Sequence, residues 1–406
     1  MRKKIVRWVL VGLGVVATVL LVGFLYVEIR GIPKYPTERV ELKIEVTPER
    51  VARGKKWAGM LCAECHMDPV TRRLTGRHMT DAPPEFGPIY SKNITQHPEK
   101  GIGKWTDGEL AYLIRTGLRK DGQYVPPPMP KLGALADEDL ASIIAFLRSD
   151  DPSVAAADVD DPDSQPSFLT KFLCYVAFKP KTYPKAPIVA PSTGDKLAYG
   201  KYLADNLECY QCHSKDFKTN KTPPETSDGY MAGGNMLLDL GGRKIYSPNI
   251  TMDEASGIGK WNDGQFRRAV AQGFRPDDSL VLYPMPKYVE LTEDELNSMY
   301  AYLKTVPKIT NHRPPAETQP RSDLSGGEAI YYKYRCDSCH GETGLGVCDL
   351  RQGLKKFPTS ELMAAFLKKP QSVVPDSKMP PWDGVIKDAE YAPLFDYMKT
   401  LGANAK

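Results

Sequence analysis

Apolar residues are distributed along this 406-residue chain in two different ways. Trp8 to Val27 reads WVLVGLGVVATVLLVGFLYV, one run without a charge. At 1.5 Å per residue it is long enough to cross a hydrocarbon core of roughly 30 Å. After it, apolar positions recur at helical spacing only in short segments. The pattern predicts helices over Arg50–Leu61, Asp137–Arg148, Asp195–Glu208, Glu293–Lys304, Gly326–Arg335 and Glu390–Leu401. The second helix of each pair opens on acidic residues and closes on basic ones, which suits the helix dipole. Long Gly/Pro-rich loops separate the helices. Loops of that length argue against a compact domain unless something other than side chains fills its centre. A further apolar stretch, Phe168–Phe178, is expected to be a helix packed between units, with contact to a partner or a membrane as the alternative.

The helical segments belong to a repeat. Residues 91–148 align with 247–304 at a constant offset. Ser91-Lys92-Asn93-Ile94-Thr95 matches Ser247-Pro248-Asn249-Ile250-Thr251. Gly101-Ile102-Gly103-Lys104-Trp105 matches Gly257-Ile258-Gly259-Lys260-Trp261, and Pro128-Met129-Pro130-Lys131 matches Pro284-Met285-Pro286-Lys287. A stretch of extra residues between His213 and Ser247 distinguishes the second copy. In the first helix of each pair a glycine (Gly54, Gly200 and Gly327) stands eight or nine residues before a cysteine, where it would allow close helix approach or act as a simple N-cap.

Those cysteines carry the chemistry. Six of the eight fall into three copies of Cys-x-x-Cys-His: Cys62-Ala-Glu-Cys65-His66, Cys209-Tyr-Gln-Cys212-His213 and Cys336-Asp-Ser-Cys339-His340. This is the attachment motif of c-type haem: two thiols at this spacing reach two vinyl groups, and the adjacent His reaches the iron. Structural zinc would need a second Cys/His pair near each motif, and none is present. The expected cofactor is haem c, three per chain. A Met-Pro step follows each motif, at Met129, Met285 and Met379, inside a proline-stiffened loop. These methionines are the expected sixth ligands, beside His66, His213 and His340. Met67, His78, Met79, Met231 and Met236 are rivals that do not recur between units. Asn93, Trp105, Asn249 and Trp261 either contact haem propionates or serve turn and core. Cys174 and Cys348 are left over, paired or free.

Charge gives the chain a direction. The net +4 of the whole chain is carried by residues 1–30, where Arg2, Lys3, Lys4, Arg7 and Arg30 face only Glu28. The remainder is neutral, so no basic stripe suggests nucleic acid. The positive-inside bias puts the N-terminus in the cytoplasm and everything after Arg30 on the other side. The apolar run reads as an uncleaved single-pass anchor, because no pair of small residues offers a cleavage site at Phe24–Glu28; a signal peptide is the alternative. The implied location is a bacterial cytoplasmic membrane, with the haem units in the periplasm.

The three motifs, with Ser247-Pro-Asn-Ile-Thr251, Gly257-Ile-Gly-Lys-Trp261, Tyr283-Pro-Met-Pro286 and Leu291-Thr-Glu-Asp-Glu-Leu296, resemble the multi-haem cytochrome c subunits of membrane-bound bacterial alcohol, aldehyde and gluconate dehydrogenases. The resemblance implies a mainly α fold of three tandem class I cytochrome c domains behind an N-terminal transmembrane helix. It also implies methionine ligation at Met129, Met285 and Met379, and electron passage from a dehydrogenase subunit to membrane quinone. That family generally attaches by its C-terminal part, whereas here the apolar segment is N-terminal. The expected organisation is an anchor (1–30), a first unit (45–150), a linker with an apolar segment (151–189), a second unit (190–308), a second linker (309–322) and a third unit (323–406). The expected role is electron carriage by a subunit that is not itself an enzyme. A cytochrome subunit of a terminal oxidase or nitric oxide reductase, and a multi-haem peroxidase, are the alternatives.

Overall fold

A computed structural model describes residues 2–80, 82–160, 162–314, 323–375 and 377–404; residues 315–322 of the expected second linker lie outside the described part. The described chain is mainly helical. In order, the helices are α1 (Arg2–Arg30), α2 (Pro48–Leu61), α3 (Ala63–His66), α4 (Asp107–Thr116), α5 (Asp137–Leu147), α6 (Phe168–Val176), α7 (Lys196–Asn206), α8 (Cys209–His213), α9 (Asp263–Arg267), α10 (Glu293–Leu303), α11 (Gly326–Lys333), α12 (Asp337–His340), α13 (Leu350–Lys356), α14 (Ser360–Lys368), α15 (Pro370–Val373) and α16 (Asp388–Asn404). Among the described residues the only sheet is a hairpin of β1 (Met236–Leu238) and β2 (Lys244–Tyr246). It occupies the extra residues of the second repeat.

Local chemistry accounts for the helix ends. Thr47 caps α2 and Pro48 follows at the first helical position, where its missing N–H costs nothing. Capping boxes open α4 (Thr106 with Glu109), α9 (Asn262 with Gln265) and α10 (Thr292 with Glu295). α4 stops at Gly117 in the left-handed region. Its counterpart α9 widens into a π turn over Arg268–Gln272 before stopping at Gly273. All six helices read from the sequence are present, each bound within three residues of the expected one. α9, α13, α14 and α15, which bury few apolar positions of their own, and α4, which buries Leu110, Ala111 and Tyr112, are helices the sequence pattern did not single out.

Three helix pairs organise the fold: α2 with α5, α7 with α10, and α11 with α16. Each crosses at the glycine singled out in the sequence. A Cβ on Gly54 would lie 1.8 Å from the Ser142 carbonyl oxygen, one on Gly200 1.9 Å from that of Ser298, and one on Gly327 1.9 Å from that of Pro393. No side chain fits there, so the close-approach role is the one the fold uses.

The buried residues of the first two units are shared between them. Residues of units one and two form one continuous cluster, in which Trp57 meets Tyr202 edge-on at 6.1 Å. Asp139, fully buried on α5, accepts hydrogen bonds from Arg53 Nε (2.5 Å), Trp57 Nε1 (2.6 Å) and the Tyr202 hydroxyl of α7. Lys56 on α2 pairs with Glu295 on α10. The third unit has its own cluster, but Phe274 and Leu280 of unit two complete it; Phe274 meets Trp382 edge-on at 4.9 Å.

α1 is the one described helix long and apolar enough to cross a membrane. The segment expected to bridge units one and two instead folds back onto unit one. Cys174 of α6 is buried with Tyr112, Leu118 and Tyr124, while Leu169, Phe172 and Val176 stay exposed. α6 is therefore a half-covered helix rather than one packed between units. Cys174 and Cys348 are both free thiols, so the open question of a disulfide closes against it.

Candidate haem sites

All six motif cysteines are free and half-buried, and each pair sits at a helix-to-helix junction. Cys62 ends α2 and starts α3; Cys209 opens α8; Cys336 precedes α12. The short helix brings the two thiols of each pair and the following imidazole to one side of a single turn. Burial pushes the Cys62, Cys209 and Cys336 thiols up to about 12 and that of Cys212 up to about 11. These thiols are protonated at neutral pH, and a thioether is a neutral product that the same apolar walls accommodate.

The three imidazoles share a feature the sequence did not disclose. Nδ1 of His66 lies 2.7 Å from the Lys92 carbonyl oxygen, that of His213 2.9 Å from Pro248 O, and that of His340 2.9 Å from Cys348 O. A carbonyl only accepts, so Nδ1 carries the proton and Nε2 keeps its lone pair free. Burial also pushes His213 and His340 below the ordinary imidazole range, favouring the neutral ligand form. An outer hydrogen bond of this kind fixes ring orientation at a metal site. Lys92 and Pro248 are repeat equivalents, so the first two bonds are one feature used twice.

Glycines hold the backbone of each histidine as well. The N–H groups of Gly76, Gly233 and Gly346 donate to the backbone oxygens of His66 (2.8 Å), His213 (2.7 Å) and His340 (2.8 Å). A Cβ on Gly76 would lie 2.2 Å from Ser91 O, and one on Gly346 2.3 Å from Cys339 O. Gly76 and Gly233 also adopt positive φ, at 83° and 68°. The spacing from His to Gly differs in every unit, which hides the feature in the sequence.

Met129, Met285 and Met379 are all half-buried on loops between the paired helices. Met285 packs against the shared core of units one and two, and Met379 against the core of unit three. In both repeat copies a lysine fastens the loop: Lys131 Nζ donates to Met129 O at 2.7 Å, and Lys287 Nζ to Val281 O (2.9 Å) and Met285 O (3.3 Å). Each lysine stem crosses a glycine in the left-handed region, Gly117 or Gly273, within 3 Å of where a Cβ would stand. Arg115, fully buried, donates to the carbonyls of Leu132, Gly133 and Leu135 and pairs with Asp137, so the chain after Met129 is fixed as well.

The rivals are placed otherwise. His78 stacks on Tyr90 at 4.6 Å, His97 Nδ1 accepts the Lys100 N–H at 3.0 Å, and His312 is exposed. Met79 and Met231 are core residues, Met67 is half-buried against that core, and Met236 is an exposed strand residue. Asn93 and Asn249 are turn residues. Their side-chain oxygens accept from Thr95 and Thr251, and their amides donate to Ala157 O and Ile309 O. Trp105 and Trp261 pack against the core.

The methionine loops of units two and three each contact the Cys-x-x-Cys turn of another unit, and that of unit one lies within the electrostatic reach of one. Lys131, beside Met129, is held down to about 8 by burial and feels the Glu208 carboxylate next to Cys209. Tyr283 N–H, beside Met285, donates to Ser338 Oγ at 2.9 Å, inside the third motif. Lys378, beside Met379, pairs with Glu64 of the first motif at 2.7 Å and donates to Gly59 O at 2.8 Å. The hairpin adds a fourth tie: Arg243 reaches Asp337 of the third motif at 3.4 Å and Glu342 at 3.5 Å.

These residues fit a covalently attached haem. The donor set is a thiol pair with an imidazole aimed by its far nitrogen. The indole N–H of Trp382, three residues beyond Met379, is buried without a partner among the described residues, as a donor awaiting an acceptor such as a carboxylate would be.

Comparison with known proteins agrees with this chemistry. Residues 197–307 match the family model described as "Cytochrome c", and residues 322–398 match "Cytochrome C oxidase, cbb3-type, subunit III". The chain is 28% identical over 379 residues to the cytochrome c subunit of a quinone-type alcohol dehydrogenase of Gluconobacter oxydans (strain 621H), covering 85% of this chain and 77% of that protein. It is 26% identical to the cytochrome subunit of fructose dehydrogenase from Gluconobacter japonicus, covering 71% of this chain and 63% of that protein. It is also 26% identical to the cytochrome c subunit of gluconate 2-dehydrogenase from Pantoea cypripedii, covering 72% and 69%. The chain thus carries cytochrome c domains, whose cofactor is covalently bound haem c. Its likeness is to multi-haem c-type cytochromes of the dehydrogenase-subunit class.

Proposed function

We propose that this multi-haem c-type cytochrome holds three haems on the periplasmic side of a bacterial cytoplasmic membrane, anchored by α1 with its N-terminus in the cytoplasm. It relays electrons from a dehydrogenase subunit to membrane quinone. The observation that carries the reading is the threefold recurrence of an imidazole locked to a backbone carbonyl beside a thiol pair. The relatives, cytochrome subunits of alcohol, fructose and gluconate dehydrogenases, support the kind of donor.

In this reading Cys62 with Cys65, Cys209 with Cys212, and Cys336 with Cys339 hold the porphyrins. His66 with Met129, His213 with Met285, and His340 with Met379 would supply the protein ligands to the three irons. When bound, haem supplies one-electron redox chemistry, at a potential raised by His/Met ligation relative to bis-His sites. The chain's own residues do the rest. The carbonyls of Lys92, Pro248 and Cys348 aim the imidazoles, Lys131 and Lys287 fasten two methionine loops, and the shared cores exclude water. With both axial positions taken by protein, no site is left for substrate, so the chain is a carrier rather than an enzyme. The match of residues 322–398 to a cbb3-type oxidase subunit favours one second reading, in which the third unit delivers electrons to an oxidase.

The test is haem content and spin state. The mature protein should carry three haems per chain, and Cys336→Ser with Cys339→Ser should carry two. Met379→Ala should convert one haem of three to high spin; if all three stay low-spin, Met379 is not the ligand. Gentle solubilisation and identification of bound subunits then separates the donor readings, a dehydrogenase subunit supporting the first and an oxidase subunit the second.

A further inference from the structure

The α6 segment is not absorbed by the haem chemistry. It is apolar on more sides than one neighbour can cover. Thr170 and Cys174 face unit one and are buried. Phe168, Lys171 and Tyr175, on a second side, meet the outer end of α1. The Phe24 and Phe168 rings are 4.7 Å apart, Tyr26 and Tyr175 5.8 Å apart, and Lys171 pairs with Glu28 at 2.5 Å. On the third side Leu169, Phe172 and Val176 fall at positions i, i+3 and i+7, a single helical stripe, and are 41%, 41% and 58% exposed.

The contacts with α1 set the depth of this stripe. Phe24 lies one turn, about 6 Å, before Glu28, the first charge after the apolar run. α6 therefore stands beside the last turn of the apolar helix, at the level where interfacial aromatics such as Tyr26 and Tyr175 belong. The exposed faces of Phe24, Leu25 and Tyr26 adjoin it. Lys179, Lys181 and Lys185 follow the helix and are exposed, as suits a segment lying on anionic headgroups.

We propose that α6 lies in the headgroup layer of the bilayer that α1 crosses, with Leu169, Phe172 and Val176 inserted into the outer leaflet. This rests on the anchor reading of α1 and extends it: a single helix alone leaves the haem units free to swivel. A second apolar contact beside it fixes which face of unit one looks at the membrane. The occupant is a phospholipid surface rather than a protein, because the stripe continues the surface of α1 that lipid already covers.

The test uses the haem-loaded full chain in vesicles of phosphatidylcholine and phosphatidylglycerol containing a phospholipid with a photoactivatable group near the headgroup. Peptides bearing lipid adducts are identified by mass spectrometry. Adducts are expected on 169–176 as well as on α1. Phe172→Asp or Val176→Asp, each with an unchanged haem spectrum, should lower the α6 adducts about tenfold and leave those on α1. Adducts on α1 alone overturn the proposal. Adducts on α6 alone remove the anchor reading and with it the proposal, which needs α1 in the same bilayer, and adducts on neither remove both. A disulfide-linked dimer formed through Phe172→Cys, without lipid adducts, would assign the stripe to a second copy and overturn the proposal.

Discussion

Glycines decide more of this molecule than their small size suggests. Gly54, Gly200 and Gly327 each let one helix rest on the backbone of its partner. The added methyl of Gly200→Ala would stand 1.9 Å from Ser298 O, and that oxygen belongs to a helix that cannot yield without disturbing the shared core. The expected cost is about 1–3 kcal/mol, typical of overpacking, read as a lower thermal midpoint at the Soret band. Gly194→Ala, whose nearest neighbour would be 3.5 Å away, should stay within about 0.5 kcal/mol. The six cysteines, three histidines and three methionines of the proposed haem sites are all named from sequence. Gly76, Gly233, Gly346 and the three carbonyls were not, because they reach the imidazoles across loops of different length.

At the scale of elements, the repeated unit is a glycine-crossed helix pair with a methionine loop between its arms. In the third unit the pair is tied at one end by Glu390 of α16. Its carboxylate pairs with Lys333 of α11 at 2.7 Å, accepts from the Tyr334 hydroxyl at 2.6 Å and from Lys387 N–H at 3.0 Å. The Lys333 and Tyr334 hydrogen bonds hold it down to about 2, against an ordinary 4.5. A carboxyl held down by folding stabilises the folded state fully above pH 4.5, and that contribution fades as the pH falls toward 2. Acid titration of thermal stability should therefore show a loss between pH 4.5 and 2 that Glu390→Gln flattens. Because the Lys333 end of the pair is half exposed, the amplitude should be small and should shrink further in salt. An unchanged acid limb in the variant would remove Glu390 from the account.

Across the whole molecule, the three units are interlocked rather than strung in a row. Asp139 and the Lys56–Glu295 pair fuse units one and two. Lys378 and Arg243 bind the third unit through residues of the haem motifs themselves, Glu64 and Asp337. Methionine loop to motif turn, the contacts run from unit two to three and from three back to one. Calorimetry of the haem-loaded protein should show units one and two unfolding together. Arg243→Ala with Lys378→Ala should split off the third unit as an earlier transition, because removing Lys378 leaves the partly buried Glu64 and Glu290 without the cation between them and removing Arg243 cuts the link from the hairpin to Asp337 and Glu342. One unsplit transition in the double variant would show that the apolar contact of Phe274 with Trp382 suffices to join the units.

What the sequence alone determined was everything written in short-range patterns. The apolar run of α1, the Cys-x-x-Cys-His spacing, the recurring Met-Pro step and the individual helices are each written in consecutive residues, where residue spacing and local geometry are the same thing. Only the tertiary structure decided how those pieces share space. The merged core of units one and two, the return of α6 onto unit one, the turn role of Asn93 and Asn249 and the circuit of contacts between units depend on residues far apart in the chain. Those meetings are set by packing and by where buried polar groups find partners, and no local period in the sequence records them.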